Sequence, residues 1–176
     1  QLATTGDNRG GFVSLGASLQ KAQVTFEAAY KSDGNITGVT TGLRDLDKML
    51  SGLQRSDLII LAGRPSMGKT ALATNIAFSA AKKFAETGGK MGAVTGFFSL
   101  EMSAEQLSTR LVSEYARVPS NDIRRGKIRP EEYVKIIESI KELDRIPLYI
   151  DDTPALTIAA LRTRARRMKR SAHGLG

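Results

Sequence analysis

Cysteine is absent from the 176 residues, and histidine occurs once. Without thiols there is neither a disulfide framework nor a thiolate metal site, a pattern that fits the cytosol. A histidine-based metal centre or triad has no second member, and His173, in a terminal polar stretch, reads as solvated. No apolar run approaches the ~20 residues of a membrane-spanning helix. No signal-peptide pattern opens the chain either. The start, Gln1-Leu2-Ala3-Thr4-Thr5-Gly6-Asp7-Asn8, is polar and lacks Met, so it reads as the edge of a piece cut from a longer protein.

Acidic residues are missing from one segment in particular. Residues 161–170 hold Arg162, Arg164, Arg166, Arg167, Lys169 and Arg170 and no acid, while the whole chain carries a net charge of +8. Most of the basic excess therefore belongs to one stretch. Such a cluster can hold nucleic acid phosphates, or form a solvated helix face, or meet acidic residues across an interface.

The length suits one domain with a real core. Its most informative stretch is Gly63-Arg64-Pro65-Ser66-Met67-Gly68-Lys69-Thr70, which matches G-x-x-x-x-G-K-[ST], the P-loop. Leu58–Ala62 leads in as an apolar strand, and Ala71–Ala77 leads out as a helix. Glycines at 63 and 68 are expected to supply positive φ, so that backbone N–H groups point inward at phosphate oxygens. The helix N-terminus adds a favourable field. Lys69 brings a mobile charge for the β- and γ-phosphates, and Thr70 a hydroxyl for Mg²⁺. Residues 63–71, through Ala71, form the expected nucleotide-binding segment.

Around this loop the pattern alternates. Phe12, Leu15, Leu19, Ala22, Phe26 and Ala29 are spaced 3-4-3-4-3, which predicts a helix over about 12–30 with one apolar seam. It docks on its own domain or on a neighbouring copy. Glycine- and asparagine-rich pieces flank it, which divides the chain into residues 1–35 and a domain over 36–176. Within that domain the text predicts a turn or short strand at 36–41 and a short helix at 43–50. A core strand at 57–62 and a helix to about 85 follow. Next come a buried strand at 92–100 and a helix over 104–116, opened by a Ser103–Gln106 capping box. A turn of helix at 121–125, a helix from Pro130 to about 143, a strand at 147–151 and a last helix at 157–170 complete it. Intervals this long between strands imply parallel pairing. The fold class is thus α/β, a mostly parallel sheet flanked by helices.

Hydrolysis of a triphosphate needs an acid near Mg²⁺ and a carboxylate to orient the attacking water. Both belong at the carboxyl ends of strands beside the loop. Glu101 directly follows Phe97-Phe98-Ser99-Leu100 and is either that carboxylate or an exposed strand-end charge. Asp151 and Asp152 follow Leu148-Tyr149-Ile150. They either bind Mg²⁺ in the manner of a Walker B strand or make a turn and cap the next helix.

Three stretches together resemble one family. Ile36–Leu43 precedes Leu46-Asp47 and Gly52-Leu53; Asp57–Ile60 runs into the P-loop with its Arg-Pro-Ser-Met interior; Phe97–Ser103 carries Ser-Leu-Glu-Met. Over about residues 12–176 the chain resembles the C-terminal, RecA-like motor domain of bacterial replicative DNA helicases of the DnaB family. RecA-type recombinases and RadA- or KaiC-like ATPases share the opening but usually not Ser-Leu-Glu-Met. A recombination ATPase is the alternative on the same fold, and a nucleotide-binding assembly fragment without turnover is the alternative of another class.

The resemblance implies more than spacing does. It makes Glu101 the catalytic carboxylate, working beside Lys69, with ATP and Mg²⁺ as cofactors. It makes residues 12–30 a linker helix that packs on the adjacent subunit of a homohexameric ring. It implies 5′→3′ translocation on single-stranded or forked DNA at a bacterial, cytoplasmic replication fork, with primase and a helicase loader as partners. It places the magnesium aspartate, the DNA-binding loops, the polar sensor and the arginine finger beyond residue 176, after a Gly-Leu-Gly like Gly174-Leu175-Gly176. On that reading Asp151 and Asp152 are decoys, and Arg162–Arg170 lies near a subunit interface or the ring channel. The 176 residues by themselves would then turn over ATP poorly.

Overall fold

The computed structural model describes residues 12–31 and 36–173, which form two compact units divided between Thr37 and Gly38. The glycine-rich stretches before residue 12 and at 32–35, the side chain of His173 and Gly174–Gly176 lie outside the described residues.

The first unit contains α1, Leu15–Lys31. Ser14 Oγ accepts the amide N–H of Ala17 (3.3 Å), one of the N–H groups that the first turn of a helix leaves unpaired. Leu15, Leu19 and Phe26 of the predicted seam are all exposed.

The second unit starts with an antiparallel bridge between Val39 and Leu53. That bridge encloses α2, Arg44–Leu50, which Ser51 ends in a left-handed turn. Asp47 is buried at its centre and accepts Thr40 Oγ1 (2.6 Å), Thr41 N (2.7 Å) and Thr41 Oγ1 (2.7 Å). Burial pushes the Asp47 carboxyl up, but these donors together outweigh it and hold it below the usual carboxylate range.

Helix α3, Lys69–Glu86, springs from the P-loop and leads to β1, Thr95–Phe98. Helices α4 (Ala104–Ala116), α5 (Ser120–Arg125) and α6 (Pro130–Leu143) carry the chain across to β2, Leu148–Asp151. Helix α7, Ile158–His173, follows. Strands β1 and β2 pair in parallel, with Thr95 opposite Leu148 and Phe98 opposite Asp151. The predicted capping box is present: Ser103 Oγ accepts Gln106 N (3.2 Å), and Gln106 Oε1 accepts Ser103 N (3.1 Å).

Helix packing supplies the core. Ala116, Val118 and Ile136 form a cluster with Val112, Ile123 and Ile128 against it. Leu107 is fully buried. Tyr115 ties three helices together: its ring meets Phe78 edge-on at 6.1 Å, Lys82 Nζ lies 4.8 Å from its centroid, and its hydroxyl donates to Glu142 Oε2 (2.6 Å). The Glu142 carboxylate, which favours the neutral phenol, raises the Tyr115 pKa above its ordinary value.

Two expectations need correction. The strand predicted at 57–62 is not a strand, because no described residue forms a ladder with it. Leu58, Ile59, Ile60 and Leu61 lie exposed in an unpaired segment, since apolar residues need a neighbouring strand before they can join a sheet. The strand predicted at 92–100 is shorter, because Gly92 has φ 81° and a side chain there would collide with the Ala80 carbonyl. The chain turns at Gly92 before it extends.

Candidate functional site

The P-loop curls with one of its two left-handed positions at the predicted Gly68 and the other displaced from Gly63. Gly68 has φ 85° and caps α3. Gly63 is not among the positive-φ residues; Ser66, at φ 64°, supplies the second left-handed position. Met67 N donates to Arg64 O (3.3 Å), which closes the Arg64–Met67 turn. Pro65 thus lies inside the turn, where its fixed φ costs no backbone donor. Lys69 Nζ donates to Gly63 O (3.0 Å) and to Arg64 O (3.4 Å), which holds the ammonium over the loop. Ala71 continues the first turn of α3, and Thr70 O accepts Thr74 Oγ1 (2.7 Å).

Glu101 stands just beyond the carboxyl end of β1. A cavity of about 340 Å³ is lined by Leu61, Lys69, Thr70, Phe98 and Glu101 among others. The structure therefore brings together the three chemistry-bearing residues picked from two separate motifs. Ser99 shapes the approach to Glu101: its buried hydroxyl donates to Met102 O (2.6 Å) and accepts Met102 N (3.2 Å).

Asp151 and Asp152 are elsewhere engaged. Arg164 Nη1 donates to Asp151 Oδ1 (2.7 Å), Asp151 Oδ2 (2.6 Å) and Thr153 Oγ1. The Arg164 guanidinium, with help from Thr153, holds the Asp151 carboxyl at about 2. Asp151 Oδ1 also accepts Thr153 N (3.1 Å), which makes the expected turn. Asp152 caps a helix, but not the next one. Its Oδ2 accepts Ala104 N of α4 at 2.8 Å, from 48 residues away. Helix α7 is opened by Thr157, whose hydroxyl accepts Ala160 N (3.2 Å).

Sequence reasoning missed the part played by Arg164 and Ser99. Arg164 looked like one more member of a basic run, and only its spacing of four from Met168 hinted at a shared face. Met168 Sδ lies 2.6 Å from where a Gly96 side chain would begin, so α7 crosses β1 at its glycine. Among the described residues no cluster of three or more His, Asp or Glu side chains could hold a metal.

A glycine-turned loop between an extended segment and a helix, with a carboxylate just beyond the end of one strand of a parallel pair, is the arrangement of a P-loop α/β domain of the RecA-like class. The family model for the DnaB-like helicase C terminal domain matches residues 38–176, and the chain belongs to that family. It is 47% identical over 179 residues to the replicative DNA helicase DnaB of Rickettsia conorii (strain ATCC VR-613 / Malish 7), covering 99% of this chain and 36% of that protein. Against the Geobacillus stearothermophilus DnaB helicase, identity is 41% over 167 residues, covering 95% of this chain and 35% of the relative. The chain thus spans about a third of the length of these curated relatives.

Solved structures agree. One, described as an ATPase domain, aligns with TM-score 0.74 at 30% identity, covering 87% of this chain and 52% of that one. A DnaB-like replicative helicase, solved in a study of its interactions with primase, also aligns with TM-score 0.74, at 28% identity, covering 92% and 36%.

Proposed function

We propose that this domain binds ATP with Mg²⁺ and supplies the water-orienting carboxylate for its hydrolysis in the longer protein that carries it. In the protein that carries it, turnover drives 5′→3′ movement along single-stranded DNA and duplex unwinding by a homohexameric ring. The observation that carries the reading is the shared cavity of Lys69, Thr70 and Glu101.

Each residue has a chemical part. The backbone N–H groups around Ser66–Gly68 and the start of α3 receive phosphate oxygens. Lys69 exchanges its two carbonyl acceptors for β- and γ-phosphate oxygens, keeping its charge against theirs. Thr70 would hold Mg²⁺ by its hydroxyl, and the bound ion would neutralise charge developing on the phosphates. Glu101 accepts a hydrogen bond from the attacking water and orients it.

The exposed seam of α1 supports the linker-helix reading: a helix that leaves Leu15, Leu19 and Phe26 uncovered gains by docking on the adjacent subunit. Primase, a helicase loader and a cytoplasmic replication fork belong to the same reading through the family. The test is ATP turnover and nucleotide affinity in the full-length protein carrying Glu101→Gln. Intact affinity with turnover abolished is expected; normal turnover would refute the assignment.

A further inference from the structure

Glu101 sits on the link between β1 and α4, and such a link wanders unless something fixes it. Both of its ends are pinned by one turn. At the start, Ser99 N donates to Asp151 O (2.9 Å), which extends the β1–β2 ladder by one bond. At the finish, Ala104 N donates to Asp152 Oδ2 (2.8 Å). Between them the buried Ser99 hydroxyl grips both backbone groups of Met102. The turn that does the pinning is itself clamped, because Arg164 holds the side chains on either side of Asp152, those of Asp151 and Thr153.

The Ala104 N–H is an orphan donor of the first turn of α4, which no residue within the helix can satisfy. Ser103 already serves Gln106, so an acceptor must come from outside. A carboxylate there is also favoured by the helix field. Removing it frees the N-terminus of α4, and Glu101 lies three residues upstream.

We propose that Asp152 is a positioning residue for Glu101: it anchors the 99–104 link, so that the carboxylate meets its water in one place. This rests on Glu101 being the catalytic carboxylate. Asp152 is not among the residues that line the cavity of Lys69, Thr70 and Glu101, so it acts on the rate of the chemical step and leaves binding alone.

The test measures kcat for ATP and the Kd of a fluorescent ATP analogue in the full-length protein that carries this domain, with Asp152→Ala, Asp152→Asn or Glu101→Gln. Asparagine keeps an acceptor for the Ala104 N–H, as it does in ordinary N-caps. D152A should lose about tenfold in kcat, the scale of a misplaced catalytic group, while D152N stays close to the parent. Nucleotide Kd should change less than about twofold in either, because no phosphate contact is touched. Parental kcat in D152A would overturn the proposal. So would a loss of affinity in D152A as large as its loss of kcat, which would make Asp152 a general support of the fold. Full turnover in E101Q would instead reject the role of Glu101 itself, and the bracing role with it.

Discussion

Arg164 Nη1 bridges both carboxylate oxygens of Asp151, at 2.7 and 2.6 Å, so the carboxylate that best resembled a magnesium ligand is already paired. Asp151→Asn is therefore expected to leave the magnesium dependence of nucleotide binding unchanged, with affinity within about twofold of the parent. A titration of labelled ATP with and without Mg²⁺ checks this. Loss of the magnesium effect would return Asp151 to the metal site.

The same pair sets a pH response. The folded pKa of Asp151, about 2, lies below the ordinary 3.8, and that of Asp47 is also lowered. Both carboxyls bind protons more readily unfolded, so their stabilisation is complete above the unfolded pKa, about pH 4. It is lost as pH falls through the folded values, which for Asp151 means towards about 2. Removing the guanidinium with Arg164→Ala should move the acid-unfolding midpoint to higher pH. At neutral pH the melting temperature should fall by no more than about 4 °C, because the pair is partly exposed. Circular dichroism from pH 7 to pH 2 reads both effects, and an unchanged acid midpoint would contradict the clamp.

Asp47 offers a harsher perturbation. Asp47→Ala strands the Thr41 donors in a buried place, and the Thr40 hydroxyl in a half-buried one, and should cost about 2–3 kcal/mol. Urea unfolding of the two proteins measures it, and a difference below about 0.5 kcal/mol would mean that water replaces the carboxylate.

Lys69→Ala should weaken ATP binding by at least about tenfold, the worth of a charge-assisted hydrogen bond to phosphate. AMP, which lacks the β- and γ-phosphates, should be affected far less. Equal losses for both nucleotides would show that the loop itself had collapsed.

Legibility in the sequence followed the range of the interactions. The P-loop helix, the Ser103–Gln106 capping box and β2 were readable because their determinants lie within a few residues of one another. The place of Glu101 beside Lys69 and Thr70 was readable from the strand end it follows, whereas its role as the water-orienting carboxylate came from the family resemblance. The failures are all non-local. Nothing near Leu58 reveals that its segment lacks a ladder partner among the described residues. Nothing near Ser66 announces that it, and not Gly63, takes the left-handed turn. Asp152 capping α4 and Arg164 gripping Asp151 depend on chain crossings that no periodicity encodes.

The core cluster of Ala116, Val118 and Ile136 is drawn from one continuous stretch of chain, α4 through α6. Closing short loops costs little entropy, so these helices can collapse on one another early. The pairing of β1 with β2, the Arg164 clamp and the Asp152 cap all wait for that hairpin-like body to bring distant residues together. The Glu101 link is thus expected to assemble late in folding, and stopped-flow refolding and unfolding of Arg164→Ala should show faster unfolding with a refolding rate nearly untouched.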